Sequence, residues 1–229
     1  MNNKMIRYVL ANILKLEAVF MIVPLLLSMY YQEKTLVSFA HLLTILLLWG
    51  TSCLLSGKQP ENVQFFAKEG LSIVAFSWLA LSFFGALPFF ISREIPSFVD
   101  AFFEVVSGFT TTGASILSDV EALPYSLLYW RSFTHFVGGM GVLVLALAIL
   151  PRNNNQSLHI MKAEVPGPTV GKLVSKMSYN SRILYLLYLF LTLILIFFLC
   201  LGGMPLFDSI LHTFDTVGTG GFGMKNTSI

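Results

Sequence analysis

Two short stretches of this chain carry residue types that can do chemistry. Thr110, Thr111, Thr112 and Gly113 stand in "GFTTTGAS", and Gly218, Thr219, Gly220 and Gly221 stand in "GTGGFG". An alkali cation stripped of water needs oxygen dipoles in place of its hydration shell. Threonine supplies a hydroxyl oxygen on a stiff β-branched body, and glycine permits the dihedrals that turn backbone carbonyls toward an axis. No full charge is required; a ring of carboxylates would hold a cation too tightly to release it. The competing reading is a packing loop with a glycine turn.

Each stretch follows a short apolar segment. Residues 96–109 are too short to span a bilayer at about 1.5 Å per helical residue. With Phe98, Val99, Ala101, Phe102, Phe103, Val105 and Val106 they are also too apolar for a plain loop. Such a segment reads as a re-entrant helix, because non-helical backbone at membrane depth survives only when buried in protein or lining a wet cavity. A shift of 108 residues superimposes the second copy without gaps, Asp100 on Asp208, Glu104 on His212, Phe109 on Val217, Thr111 on Thr219 and Gly113 on Gly221. The unit is therefore span, short helix, Gly/Thr break, span, an internal repeat of a kind used by transport proteins. The C-terminal end of each short helix carries about half a negative elementary charge and favours a cation at the break. Asp100 and Glu104, one turn apart near the outer start of the first short helix, either concentrate cations or are solvated acids at a helix start.

The elements that must position these breaks are legible from composition. Of 229 residues, 55% are hydrophobic and 11% charged, against about 25% charged in a soluble domain, so the chain is built for lipid. A net charge of +2 does not describe a nucleic-acid surface. Spans are expected at about 8–30, 36–56, 70–92, 127–150 and 182–203, with a kink at Pro24. The N-terminal stretch has no small-residue cleavage site, and Glu17 interrupts its apolar run, so no cleaved signal peptide is expected. Arg152, Lys162, Lys172, Lys176 and Arg182 against Glu164 make the 151–182 connection cytoplasmic. Lys4, Arg7 and Lys15 place the N-terminus inside as well, and Lys58 and Lys68 do the same for 57–69, with Glu61 and Glu69 in opposition. Segments 93–126 and 204–229 then face outside, where Glu94, Asp100, Glu104, Asp119, Glu121, Asp208 and Asp215 outnumber the bases. The expected fold class is all-α, polytopic transmembrane helices with re-entrant pore helices and filter loops in span–pore loop–span repeats. Its expected divisions are two N-terminal helices (1–69), a first repeat (70–152), a cytoplasmic loop (153–181) and an incomplete second repeat (182–229).

The remaining signals read more blandly. Cys53 and Cys200 lie in apolar runs and are expected as buried helix thiols rather than a disulfide. "GTGGFG" satisfies the dinucleotide fingerprint but follows a helix instead of a strand, and is rejected as a nucleotide site. "GGMG" at 138–141 offers small residues for close helix packing. Arg131, beside Tyr129 and Trp130, reads as an interfacial anchor, with a charge opposing Asp119 or Glu121 as the alternative. His135 and His212 read as hydrogen-bonded helix histidines, His212 alternatively lining an outer vestibule. The pattern shows no Ser/His/Asp or Cys/His set at readable spacing and no paired carboxylates at membrane depth, so no enzyme is expected. The basic residues of 161–176 set orientation; docking of a regulatory subunit or of anionic headgroups is a further possibility.

At this point the motifs "DAFFEVVSGFTTTGASIL", "LPYSLLYWRSFTHFVGGMGVLVLALAILP" and "MKAEVPGPTVGKL" closely resemble the TrkH-type potassium transporters of the Trk/Ktr/HKT superfamily. The resemblance runs from the first helices to Ile229. It implies a K⁺ uptake subunit of the bacterial inner membrane, multi-pass with a cytoplasmic N-terminus, passive or coupled as in a symporter, with K⁺ as the transported ion and no organic cofactor on this chain. It further implies a cytosolic nucleotide-binding partner of TrkA type, a homodimer of the full-length protein, and membrane lipid rather than nucleic acid as surroundings. By motif, Thr110, Thr111, Thr112 and Gly113 match the first filter strand and Gly218, Thr219, Gly220 and Gly221 the second. Four repeats are implied where two are present, so the expectation is a fragment of a longer protein, with a truncated gene product as the alternative, without the last two repeats and the family's gating loop. A non-conducting scaffold whose breaks only pack helices, or an organic-solute transporter, would be the rival.

Overall fold

The computed structural model describes residues 3–56, 67–141 and 177–227, and every regular element among them is a helix. In chain order these are α1 (Asn3–Phe20), α2 (Ile22–Tyr30), α3 (Thr35–Leu55), α4 (Ala67–Ile91), α5 (Phe98–Phe109), α6 (Tyr125–Gly139), α7 (Met177–Leu201) and α8 (Leu206–Val217). Among the described residues, four segments are long and apolar enough to cross a membrane: Asn3–Tyr30, Thr35–Leu55, Gly70–Ile91 and Ile183–Leu201. The all-α, membrane-spanning fold class stands. Residues 57–66 and 142–176 lie outside the described residues, and with them Lys58, Arg152, Lys162, Lys172 and Lys176, the 161–176 motif and residues 142–150 of the expected 127–150 span.

Burial follows the logic of a lipid-embedded bundle. Leu26, Leu46, Leu54, Leu79, Leu186 and Phe197 are exposed, whereas Ser28, His41, Thr44, Ser52 and Ser77 are buried. Apolar side chains cost nothing against lipid, while hydroxyls must find acceptors inside the protein. They do: Thr44 donates to the Ala40 carbonyl (2.8 Å), Ser77 to Ile73 (2.6 Å), and Ser52 crosses from α3 to the Ala11 carbonyl of α1 (2.7 Å). Cys53 and Cys200 are free thiols, as expected, but Cys53 is exposed and Cys200 half-buried. The reason is the same: a weakly polar thiol is at home facing hydrocarbon, so an apolar run does not imply an interior position.

The kink expected at Pro24 is a break one turn earlier. Proline lacks the N–H that would reach the Phe20 carbonyl, and its ring crowds that carbonyl; α1 ends at Phe20, and α2 resumes at Ile22. The turn after α2 brings Glu33 to the start of α6, where it accepts from the Ser126 N–H at 2.9 Å and from the Ser126 hydroxyl. A carboxylate there caps orphan amides and complements the positive end of the helix.

Helix α6 holds the centre of the packing. It lies against both short helices, α5 and α8, and against α2. Trp130 lies between α4 and α5, donating its indole N–H to the Gly85 carbonyl (2.9 Å) while packing edge-on to Phe109. On the α8 side, Phe214 meets Tyr129, Phe133 and Phe136. The expected continuous helix over 127–150 stops early: α6 ends at Gly139, and Gly141 takes a left-handed φ of 62°. Glycine alone enters that region without a Cβ penalty, and the second half of "GGMG" stands where α6 stops.

Candidate functional site

The two short helices are equal in length and lie 108 residues apart at both ends. Each stops in the same way. Thr111 donates to the Gly108 carbonyl (2.9 Å) and Thr112 to Ser107 (2.9 Å); Thr219 donates to Thr216 (3.0 Å) and Gly220 to Asp215 (3.2 Å). This pair of bonds, closing over a left-handed residue, is the Schellman helix stop. Thr111 and Thr219 are the left-handed residues, at φ 53° and 62°, and two residues later Gly113 and Gly221 are left-handed again at 76° and 75°. Helix stops of this kind use glycine by preference. Placing a β-branched threonine there costs about 1–3 kcal/mol, and such strain gathers at functional sites.

The two breaks meet. A β-carbon on Gly113 would fall 1.8 Å from the Gly220 carbonyl oxygen, so the strands are in backbone contact. At Gly221 the same position has nothing within 4 Å among the described residues. Thr110 and Thr112 share a hydroxyl–hydroxyl bond of 2.8 Å, and Thr110 also donates to the Val106 carbonyl (2.7 Å). Gly138 and Gly139 of α6 let it sit on both helix ends: added β-carbons would meet the Phe109 carbonyl oxygen at 2.3 Å and Gly218 Cα at 2.8 Å.

Behind the breaks lie ionisable residues whose roles the sequence did not reveal. Glu104 is neither a surface cation trap nor a solvated acid at a helix start. It is 1% exposed and accepts from Arg131 Nε (2.7 Å), Ser115 Oγ (2.8 Å) and the Ile116 N–H (3.0 Å). Asp100 is the exposed acid of that first turn. Arg131 is likewise no interfacial anchor and does not oppose Asp119 or Glu121. Buried beside Glu104, it also donates to the Gly223 carbonyl (2.9 Å) and covers the Phe222 ring at 3.5 Å. Asp119 and Glu121 instead accept from Asn226 (2.8 and 3.2 Å), tying the two post-break loops together.

Asp215, expected among the outer acids, is buried at the end of α8. It accepts from Ser132 Oγ (2.8 Å) and from His135 Nδ1 (3.0 Å). Ser, His and Asp come together where no spacing in the sequence shows it, because the tertiary fold joins residues 80 and 83 positions apart. The order differs from a nucleophilic triad: the carboxylate stands between serine and histidine, so the imidazole does not face the hydroxyl. His135 is the hydrogen-bonded helix histidine expected, its ring against Phe222 (3.9 Å) and Gly220. His212 is half-buried. Among the described residues, no group of three or more His, Cys, Asp and Glu is placed to hold a metal. The one signal in sequence was Arg131, Ser132 and His135 within about one turn of a mostly apolar helix. Ionisable residues at membrane depth are functional candidates by default.

Long apolar helices joined to short helices that end in repeated, strained glycine breaks define a polytopic helical membrane protein built from pore-loop-like repeats. The model of the family described as "TrkH: Cation transport protein" matches residues 37–229. The Trk system potassium uptake protein TrkG of Escherichia coli K12 is 37% identical over 216 residues, covering 93% of this chain and 44% of that protein. The corresponding TrkH of Vibrio parahaemolyticus is 34% identical over 219 residues, covering 95% and 45%. The crystal structure of the potassium transporter TrkH from Vibrio parahaemolyticus superimposes with a TM-score of 0.80 at 29% identity, covering 100% of this chain and 46% of that one. The chain belongs to the TrkH family of cation transport proteins, and it spans about half the length of the relatives it matches.

Proposed function

We propose that this chain supplies half of a K⁺-selective path in a Trk-type uptake system. Residues Thr110, Thr111, Thr112 and Gly113 form one filter strand and Gly218, Thr219, Gly220 and Gly221 the next, each offering oxygen dipoles to a dehydrated ion. The observation that carries this reading is the contact between two breaks of identical backbone form, Gly113 against Gly220. Packing loops have no need to repeat the same strained threonine at the same place twice; a ring of equivalent ion ligands does. By the same rule the open face at Gly221 receives a third strand.

The rest of the reading rests on the resemblance and on the relatives' names. The chain divides into two leading helices (1–69), a first repeat (70–152), a cytoplasmic loop (153–181) and the start of a second (182–229), as a fragment of a four-repeat protein. It lies in the bacterial inner membrane with its N-terminus cytoplasmic, works with a TrkA-type nucleotide-binding subunit, dimerises, and moves K⁺ passively or by symport without covalent chemistry.

The test is expression of the complete gene in a strain deficient in potassium uptake. Rescue of growth at low K⁺ is expected. Gly113→Ser places a side chain on a left-handed residue against the Gly220 carbonyl, so K⁺ over Na⁺ selectivity is expected to fall by about tenfold, roughly 1.4 kcal/mol. An unchanged uptake ratio removes Gly113 from the filter; flux of an organic solute indifferent to this substitution would favour the rival transporter.

A further inference from the structure

We infer that Arg131 is a positioning residue for ion selectivity, a brace that fixes one filter strand relative to the next; this rests on the filter reading proposed for the two breaks. The guanidinium joins equivalent points of the two repeats. Glu104, which it grips through Nε, holds the chain leaving the first break by the Ser115 hydroxyl and the Ile116 N–H. Its Nη1 holds the chain leaving the second break by the Gly223 carbonyl. Ser115 and Gly223 are related by the 108-residue shift, and each stands two residues beyond its left-handed glycine, Gly113 or Gly221. A single side chain on a third element, α6, thus spans both strands just past their proposed ligands.

The chemistry suits that task. Arginine presents a rigid planar fork with several fixed donors, where lysine is a flexible point charge. The pair is buried, with side chains 3% and 0% exposed. A buried ion pair gains little net stability over apolar packing, and its best-attested use is to specify one arrangement. The contacts around this pair fix position: Glu104 accepts three hydrogen bonds, and Phe222 touches both the guanidinium and the His135 ring. Glu104 also neutralises a cation that would otherwise repel the transported ion. Residues behind cation ligands typically change affinity by about 10–100-fold when lost.

The test compares wild type, Arg131→Lys and the neutral pair Glu104→Gln/Arg131→Gln, made in the complete gene in the uptake-deficient strain. Membrane abundance is measured beside the KM values for K⁺ and Rb⁺ and inhibition by Na⁺. Near-normal abundance with K⁺ discrimination reduced about tenfold or more is expected for both variants, since Lys keeps the charge but not the fork. Variants that reach the membrane and discriminate as wild type does overturn the brace while leaving the filter reading intact. Variants absent from the membrane assign the pair to folding and overturn the brace as well. A wild type that is abundant yet takes up no K⁺ overturns the filter reading, and the brace with it.

Discussion

Thr111 and Thr219 hold left-handed backbone that glycine would occupy without strain, and the chain keeps a hydroxyl at both positions. At the same scale Glu17 stands apart. It is 2% exposed among Ile13, Phe20, Leu81, Phe109, Trp130 and Val137, and neither carboxyl oxygen has a hydrogen-bond partner among the described residues. Burying a polar group without a partner costs about 1–3 kcal/mol in protein mutational series. Glu17→Met, close in length and fully apolar, is therefore expected to raise the detergent-solubilised protein's stability by about that amount. Thermal unfolding of the two proteins under matched conditions checks it; a lower midpoint would show that the carboxyl is held by something its surroundings do not reveal.

Among the elements, α6 decides the geometry. Its glycine end contacts both short helices, and its polar turn reaches both post-break segments. Gly138→Ala puts a methyl 2.3 Å from the Phe109 carbonyl oxygen, which is backbone and cannot rotate away. Overpacking of this kind costs about 1–3 kcal/mol, so the variant is expected to unfold at a lower temperature than wild type. Gly50, where a β-carbon meets nothing within 4 Å, is the control: Gly50→Ala is expected to leave stability unchanged or slightly raised.

For the whole molecule, the proposed filter ties ion binding to folding. On that proposal K⁺ binds the folded protein and not the unfolded chain, so K⁺ is expected to stabilise the fold by mass action. With K⁺ at one hundred times its dissociation constant the gain is about 2.7 kcal/mol. Purified complete protein should melt at a higher temperature in KCl than in an equal concentration of choline chloride. Equal midpoints across a wide range of KCl would argue against a specific site, because ionic strength is the same in both.

Four of the apolar spans, the 108-residue repeat, the short helices and the positions of both breaks are legible in the sequence because they follow from local physics: hydrophobic length, glycine and proline act on the backbone where they stand. Glu104, Asp215 and Arg131 are misplaced by the same reading for the complementary reason. A charge on its own reads as solvated, and nothing local says that its partner lies 27 residues away on another helix or that a carbonyl 92 residues on will accept its second N–H. Backbone conformation at each break belongs to the sequence; which break touches which, and the charged side chain that holds them in register, belong to the packing of α6 between the two repeats.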